Sequence, residues 1–165
     1  MREIIAVTYW INLFLVLTLA GVVFLNMRKR VQYYLLLNCI ALVLCSISSL
    51  FMLFSETEDA YYLAFILSWT GKAGIVIALF LFCVKFSECK LPIIVSVIES
   101  GFALISYIVI VTTRNTGLFY SNLHLVEENG MKILEFEKCA WSSLWNMTIV
   151  VVILTCLFVL GKALV

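Results

Sequence analysis

The stretch from Ala60 to Val84, AYYLAFILSWTGKAGIVIALFLFCV, decides the fold. It is apolar almost throughout, and it exceeds the roughly 20 residues that a helix rising 1.5 Å per residue needs to cross a bilayer. One charge interrupts it: Lys72, set among Ser68, Trp69, Thr70, Gly71 and Gly74. An ionisable group at that depth is costly in lipid, so it is expected to face protein or water and to mark something functional.

Four further runs flank this one, and the spans are expected at about 4–26, 31–54, 60–84, 91–112 and 142–162, within a single transmembrane domain over 1–165. Composition agrees: 64% of the residues are hydrophobic, 13% are charged and the mean hydropathy is +1.13. Soluble domains hold roughly half and a quarter. The first run is followed by its basic cluster, Arg28-Lys29-Arg30, so it reads as a retained helix and not as a cleaved signal peptide. Pro92 opens the fourth run, where a missing amide hydrogen costs no helical bond. The net charge of +1 offers no basic surface for nucleic acid.

Lysine and arginine are retained on the cytoplasmic side of short loops. Arg28, Lys29, Arg30, Lys85, Lys90 and Lys162 all fall at one end of the bundle, while the loop after the second run is acidic, with Glu56, Glu58 and Asp59. This places the N-terminus outside and the C-terminus in the cytoplasm. Trp10, Tyr61, Tyr62, Trp141 and Trp145 lie near the outer ends, as an interfacial belt does.

The one substantial segment between spans, 113–141, is then external. Asn129-Gly130 is a strong signal for a two-residue hairpin turn, because both positions require positive φ. Counting outward pairs Glu128 with Met131, Glu127 with Lys132, Val126 with Ile133, Leu125 with Leu134, His124 with Glu135 and Leu123 with Phe136. Leu123, Leu125, Leu134 and Phe136 share one face, which must be covered by membrane, by helix ends or by a partner. The fold class is therefore an all-α polytopic bundle of five transmembrane helices with an external β-hairpin between helices four and five.

Few residues could carry chemistry. Thr70, Gly74 and Ala78 recur every four residues and form a stripe that lets another helix approach. Lys72 points elsewhere, with Ser68. On the fourth run Glu99 shares a weakly polar stripe with Ser96, Ala103 and Ser106. Lys72 lies 12 residues and Glu99 eight from the basic ends of their runs, an offset of about 6 Å that a lysine side chain spans. Two readings stand: a Lys72–Glu99 pair acting as an intramembrane switch, or two charges satisfied separately. His124 opposite Glu135 reads either as a proton-sensitive pair or as a surface contact. No nucleophile with its base, nucleotide loop, metal shell or cofactor motif occurs, so no catalytic residue is assigned. The cysteines lie mostly inside apolar runs and do not suggest a disulfide framework.

The segment Trp69-Thr70-Gly71-Lys72 through Phe82, Phe86 and Leu91-Pro92, then Thr112-Thr113, Leu118-Phe119-Tyr120 and the Asn129-Gly130 hairpin, resembles the N-terminal seven-helix sensor region of bacterial membrane histidine kinases and diguanylate cyclases. The resemblance implies a bacterial plasma-membrane protein of a two-component type of system. It implies that the outer loop and bundle detect a signal and pass it to a cytoplasmic output domain. The chain departs from that pattern by stopping after five runs with no output domain, so a truncated chain or a separate fragment is expected. A histidine often precedes the Leu-Phe-Tyr segment in such sequences; Thr116-Gly117 stand there instead, and His124 comes later. The expected partners are the lipid bilayer, a small ligand, and a cytoplasmic signalling domain or a second copy of the chain. The competing readings are a small transporter or channel-like subunit with Lys72 and Glu99 in a polar path, and a membrane assembly subunit without a ligand.

Overall fold

The computed structural model describes residues 2–27, 30–87, 93–128 and 131–163. Five long helices carry the chain: α1 (Arg2–Leu25), α2 (Arg30–Phe54), α3 (Glu58–Phe86), α4 (Ile93–Val111) and α6 (Ala140–Ala163). Each is long and apolar enough to cross a membrane. Between α4 and α6 come a single helical turn, α5 (Thr113–Thr116), and an antiparallel hairpin of β1 (Tyr120–Glu128) and β2 (Met131–Lys138). The expected turn residues Asn129 and Gly130 lie outside the described residues, as do Arg28, Lys29, Cys89, Lys90, Leu91 and Pro92.

Helix α3 is the hub, packing against α2, α4 and α6, whereas α1 rests on α2. Its start is well specified. Thr57 is extended (φ −109°, ψ 153°) and its hydroxyl accepts from the Ala60 amide, while Glu58 and Asp59 meet the positive end of the helix dipole and Lys85 the negative end. The helix runs unbroken through Gly71 and Gly74, so the interrupted helix of many transporters does not occur here.

Lipid tails are as apolar as leucine, so helices in a membrane associate through close packing and polar contacts. Gly71 shows this most sharply. A Cβ built there would lie 2.5 Å from Cys45 Sγ, 2.7 Å from the Ala41 carbonyl oxygen and 3.0 Å from the Cys45 amide nitrogen, and one at Gly74 would lie 3.1 Å from Ala41 Cβ. The seam with α2 is thus built on Gly71 and Gly74, and only one of these belongs to the expected stripe. Thr70 turns to α4, its hydroxyl 3.0 Å from that of Tyr107, and Ala78 is buried. Helix α1 is tied to α2 by Asn12, whose side-chain amide donates to Ser46 Oγ at 2.9 Å.

Pairing of β1 with β2 follows the expected register from Glu128↔Met131 through His124↔Glu135, then slips: Ser121 pairs with Glu137 and Tyr120 with Lys138. The expected Leu123–Phe136 pair does not form in that register, because Asn122 and Leu123 together oppose Phe136. Asn122 takes φ 53°, the left-handed conformation that asparagine tolerates and that a bulge exploits. The bulge reverses the alternation of faces, so Tyr120 joins the apolar side and its ring lies 4.1 Å from that of Phe136. The hairpin's apolar face is covered by the helix ends, with Leu134 buried and Leu123, Leu125 and Phe136 packed on the core.

Candidate functional site

The largest buried hydrophobic cluster of the described residues lies at the hairpin end of the bundle. Phe65 and Trp69 of α3, Phe119 and Tyr120 at the start of β1, and Trp145 of α6 are all buried in one cluster. Trp69 is its centre: its ring centroid lies 5.1 Å from Phe119, 5.9 Å from Trp145, 6.2 Å from Tyr120 and 6.3 Å from Phe65. Tilted and edge-to-face pairs at these separations each add about 0.5–1.5 kcal/mol beyond area burial. The Trp69 indole nitrogen is buried without a hydrogen-bond partner among the described residues.

Backbone and side-chain ties hold the hairpin's root on this cluster. The Thr113 hydroxyl donates to the Tyr120 carbonyl at 3.2 Å and accepts from the Tyr120 amide at 3.0 Å. Gly117, at φ 62°, ends α5 in the left-handed conformation that favours glycine. Its carbonyl accepts from Cys139 Sγ at 3.2 Å, and the Phe119 carbonyl accepts from the Cys139 amide. Trp141 Nε1 donates to Ser106 Oγ at 3.2 Å, fixing the start of α6 to α4.

Charges surround this root. Arg114 reaches Asp59 at 2.6 Å and Glu58 at 3.3 Å and lies over the Tyr62 ring. The hydrogen bond and charge of Asp59 hold its guanidinium still further above its ordinary range. The contact positions α5 against the start of α3. Lys132 of β2 donates to the Glu56 carbonyl. His124 Nε2 lies 3.3 Å from Glu135 Oε2, with both side chains more than half exposed, so this is a surface contact of at most about 1 kcal/mol.

The intramembrane charges do not meet. Lys72 is exposed on α3 with its ammonium 4.6 Å from the centroid of the Trp69 ring, and Cys45 of α2 is its electrostatic neighbour. Glu99 is half-buried on α4, with the Cys156 thiol of α6 within reach of its charge. Their depths in the sequence differ by an offset that a lysine side chain spans, but among the described residues no ion pair joins them. Ser68 is buried and its carbonyl accepts from Cys45 Sγ at 3.6 Å; Ser96 is half-buried on α4. Among the described residues no cluster of histidine, cysteine or acidic side chains could hold a metal ion.

Burial pushes the Tyr120 phenol up to about 12, from about 10 in an unfolded chain. A raised folded value means that the native state holds its proton longer. Stability from this group is complete below about pH 10 and is lost as pH rises toward 12. Thermal unfolding in detergent at about pH 9 and pH 11 is expected to show a larger loss for wild type than for Tyr120→Phe; equal losses would remove Tyr120 as the cause.

This architecture defines a polytopic helical membrane protein whose long α3 is capped by a hairpin. Residues 8–165 match the model of the family described as the N-terminal 7TM region of histidine kinase; the chain belongs to that family, a membrane sensor region of signal-transducing kinases. No curated protein and no solved structure matches it.

Proposed function

We propose that this chain is the membrane-embedded input module of a bacterial signalling protein, with the hairpin outside and the basic helix ends in the cytoplasm. A signal reaching the hairpin alters its seat on the aromatic cluster, and α3 and α6 carry the change to an output domain of the histidine kinase or diguanylate cyclase type. The observation that supports this most is the contact of Phe119 and Tyr120 with Trp69, which links the hairpin to the hub helix and, 4.6 Å further, to the Lys72 ammonium. The basic residues Lys85 and Lys162 at the opposite end support the orientation.

A signal shifts such a module only if it binds two arrangements unequally. The reading is tested by joining the chain to a histidine kinase output domain in vesicles and measuring autophosphorylation. Phe136→Ala, which removes a ring from the hairpin's seat, is expected to change basal output about tenfold, corresponding to roughly 1.4 kcal/mol between the two states. Phe158→Ala, on an exposed face of α6, is expected to leave it unchanged. Identical output from both variants overturns the proposal.

A further inference from the structure

A cavity of 180 Å³ lies at the hairpin end, where α1, α2, α3 and β2 meet, and two of its lining residues, Met52 and Tyr61, also pack on the aromatic cluster. Its apolar walls include Ile5, Met52 and Ile133, and its polar lining is Tyr9, Ser49, Tyr61 and Lys132. The wall contains no acidic side chain. The Ser49 hydroxyl is committed to the Cys45 carbonyl. The Tyr61 hydroxyl is engaged by the Leu134 backbone, which leaves the Tyr9 hydroxyl and the Lys132 ammonium as donors; among the described residues one of the three ammonium hydrogens is engaged, by the Glu56 carbonyl. Glu127 is the cross-strand neighbour of Lys132, yet among the described residues no carboxylate forms an ion pair with it.

We infer that this cavity is a binding site for a small amphipathic monoanion, a short-chain carboxylate, whose head group takes Lys132 and the Tyr9 hydroxyl and whose tail lies against Ile5, Met52 and Ile133. At about 30 Å³ per water-sized group, the space holds roughly six such groups. That is below the roughly 300–1,000 Å³ of drug-sized sites and fits a chain of about five carbons. The site joins the peripheral helix α1 to the hub α3 and to β2, so an occupant would tie α1 to two elements that already pack on each other. The inference rests on the sensor reading and names the chemical class of its signal.

The test uses the 165-residue chain in phosphatidylcholine nanodiscs, with saturation-transfer NMR reporting contact between protein and hexanoate. Saturable binding to wild type is expected. Lys132→Met should weaken it about tenfold or more, the loss of a charge-assisted hydrogen bond. Tyr9→Phe should weaken it less, Ser49→Leu should fill the space and abolish it, and Lys138→Met should change nothing. Melting curves followed by circular dichroism show that each variant is folded; if Lys132→Met is not, Tyr9→Phe and Ser49→Leu decide. Equal binding by wild type and these variants overturns the inference. In a second arm the nanodiscs contain phosphatidylglycerol: competition with hexanoate that disappears in Lys132→Met assigns the site to a lipid head group and overturns the free carboxylate. Binding is read without an output domain, so its failure leaves the sensor reading standing. Binding with no effect on kinase output overturns the sensor reading and leaves the site.

Discussion

Gly71→Ala is expected to cost about 2–3 kcal/mol, or to prevent folding outright, although it adds a single methyl group to a helix. Two of the three atoms that a Cβ at Gly71 would meet are backbone atoms of α2, the Ala41 carbonyl oxygen at 2.7 Å and the Cys45 amide nitrogen at 3.0 Å. Backbone cannot rotate away, so α2 and α3 must separate, and overpacking of this kind costs about 1–3 kcal/mol or more. Gly101→Ala in α4 is the matched control. Nothing lies within 4 Å of a Cβ there, so the variant should gain up to about 1 kcal/mol of helix propensity. Adding Cys45→Ala to Gly71→Ala relieves the sulfur contact and leaves the backbone contact, so rescue should be partial. Detergent unfolding that finds Gly71→Ala as stable as Gly101→Ala would exclude the close seam.

Trp69→Ala is expected to have the largest effect of any side-chain truncation, about 3–5 kcal/mol, the range for removing a buried tryptophan. Trp69 is 6% exposed and touches Phe65, Phe119, Tyr120 and Trp145. Its loss should therefore be felt beyond α3. Amide exchange in β1, measured at His124 and Leu125, is expected to accelerate along with the fall in melting temperature. A double-mutant cycle with Phe119→Ala should return a coupling of about 0.5–1.5 kcal/mol. If exchange in β1 is unchanged while the bundle is destabilised, the hairpin is not seated through Trp69.

Much of this architecture is legible in the sequence because its determinants are local. Five apolar runs of bilayer length give five spans, and Asn129-Gly130 between alternating residues gives the hairpin and five of its pairs. What was not legible depends on angle about a helix axis or on distant contacts. Counting residues gives Lys72 and Glu99 comparable depth, but depth says nothing about azimuth: the Lys72 ammonium lies over the Trp69 ring, and among the described residues no ion pair joins it to Glu99. Four-residue spacing marks Thr70, Gly74 and Ala78; Gly74 meets α2 and Thr70 bonds α4, but the tightest approach is at Gly71, which that spacing leaves out. The bulge at Asn122 was hidden because the apolar alternation through Leu123 and Leu125 carries no mark of where it ends. Arg114 and Lys132 reach residues more than fifty positions away, beyond the range of any local pattern.

The bulge also sets how the first residues of β1 can change in number. Tyr120 faces the bundle because one unmatched residue separates it from the regular part of the ladder, so its orientation is a matter of odd and even. Deleting Asn122, or inserting one residue beside it, would turn Ser121 inward and swing the Tyr120 ring away from Phe136. Changes of two residues would keep the phase. Length variation between Tyr120 and His124 should therefore be tolerated in steps of two, while the root at Thr113 and Gly117 stays where it is.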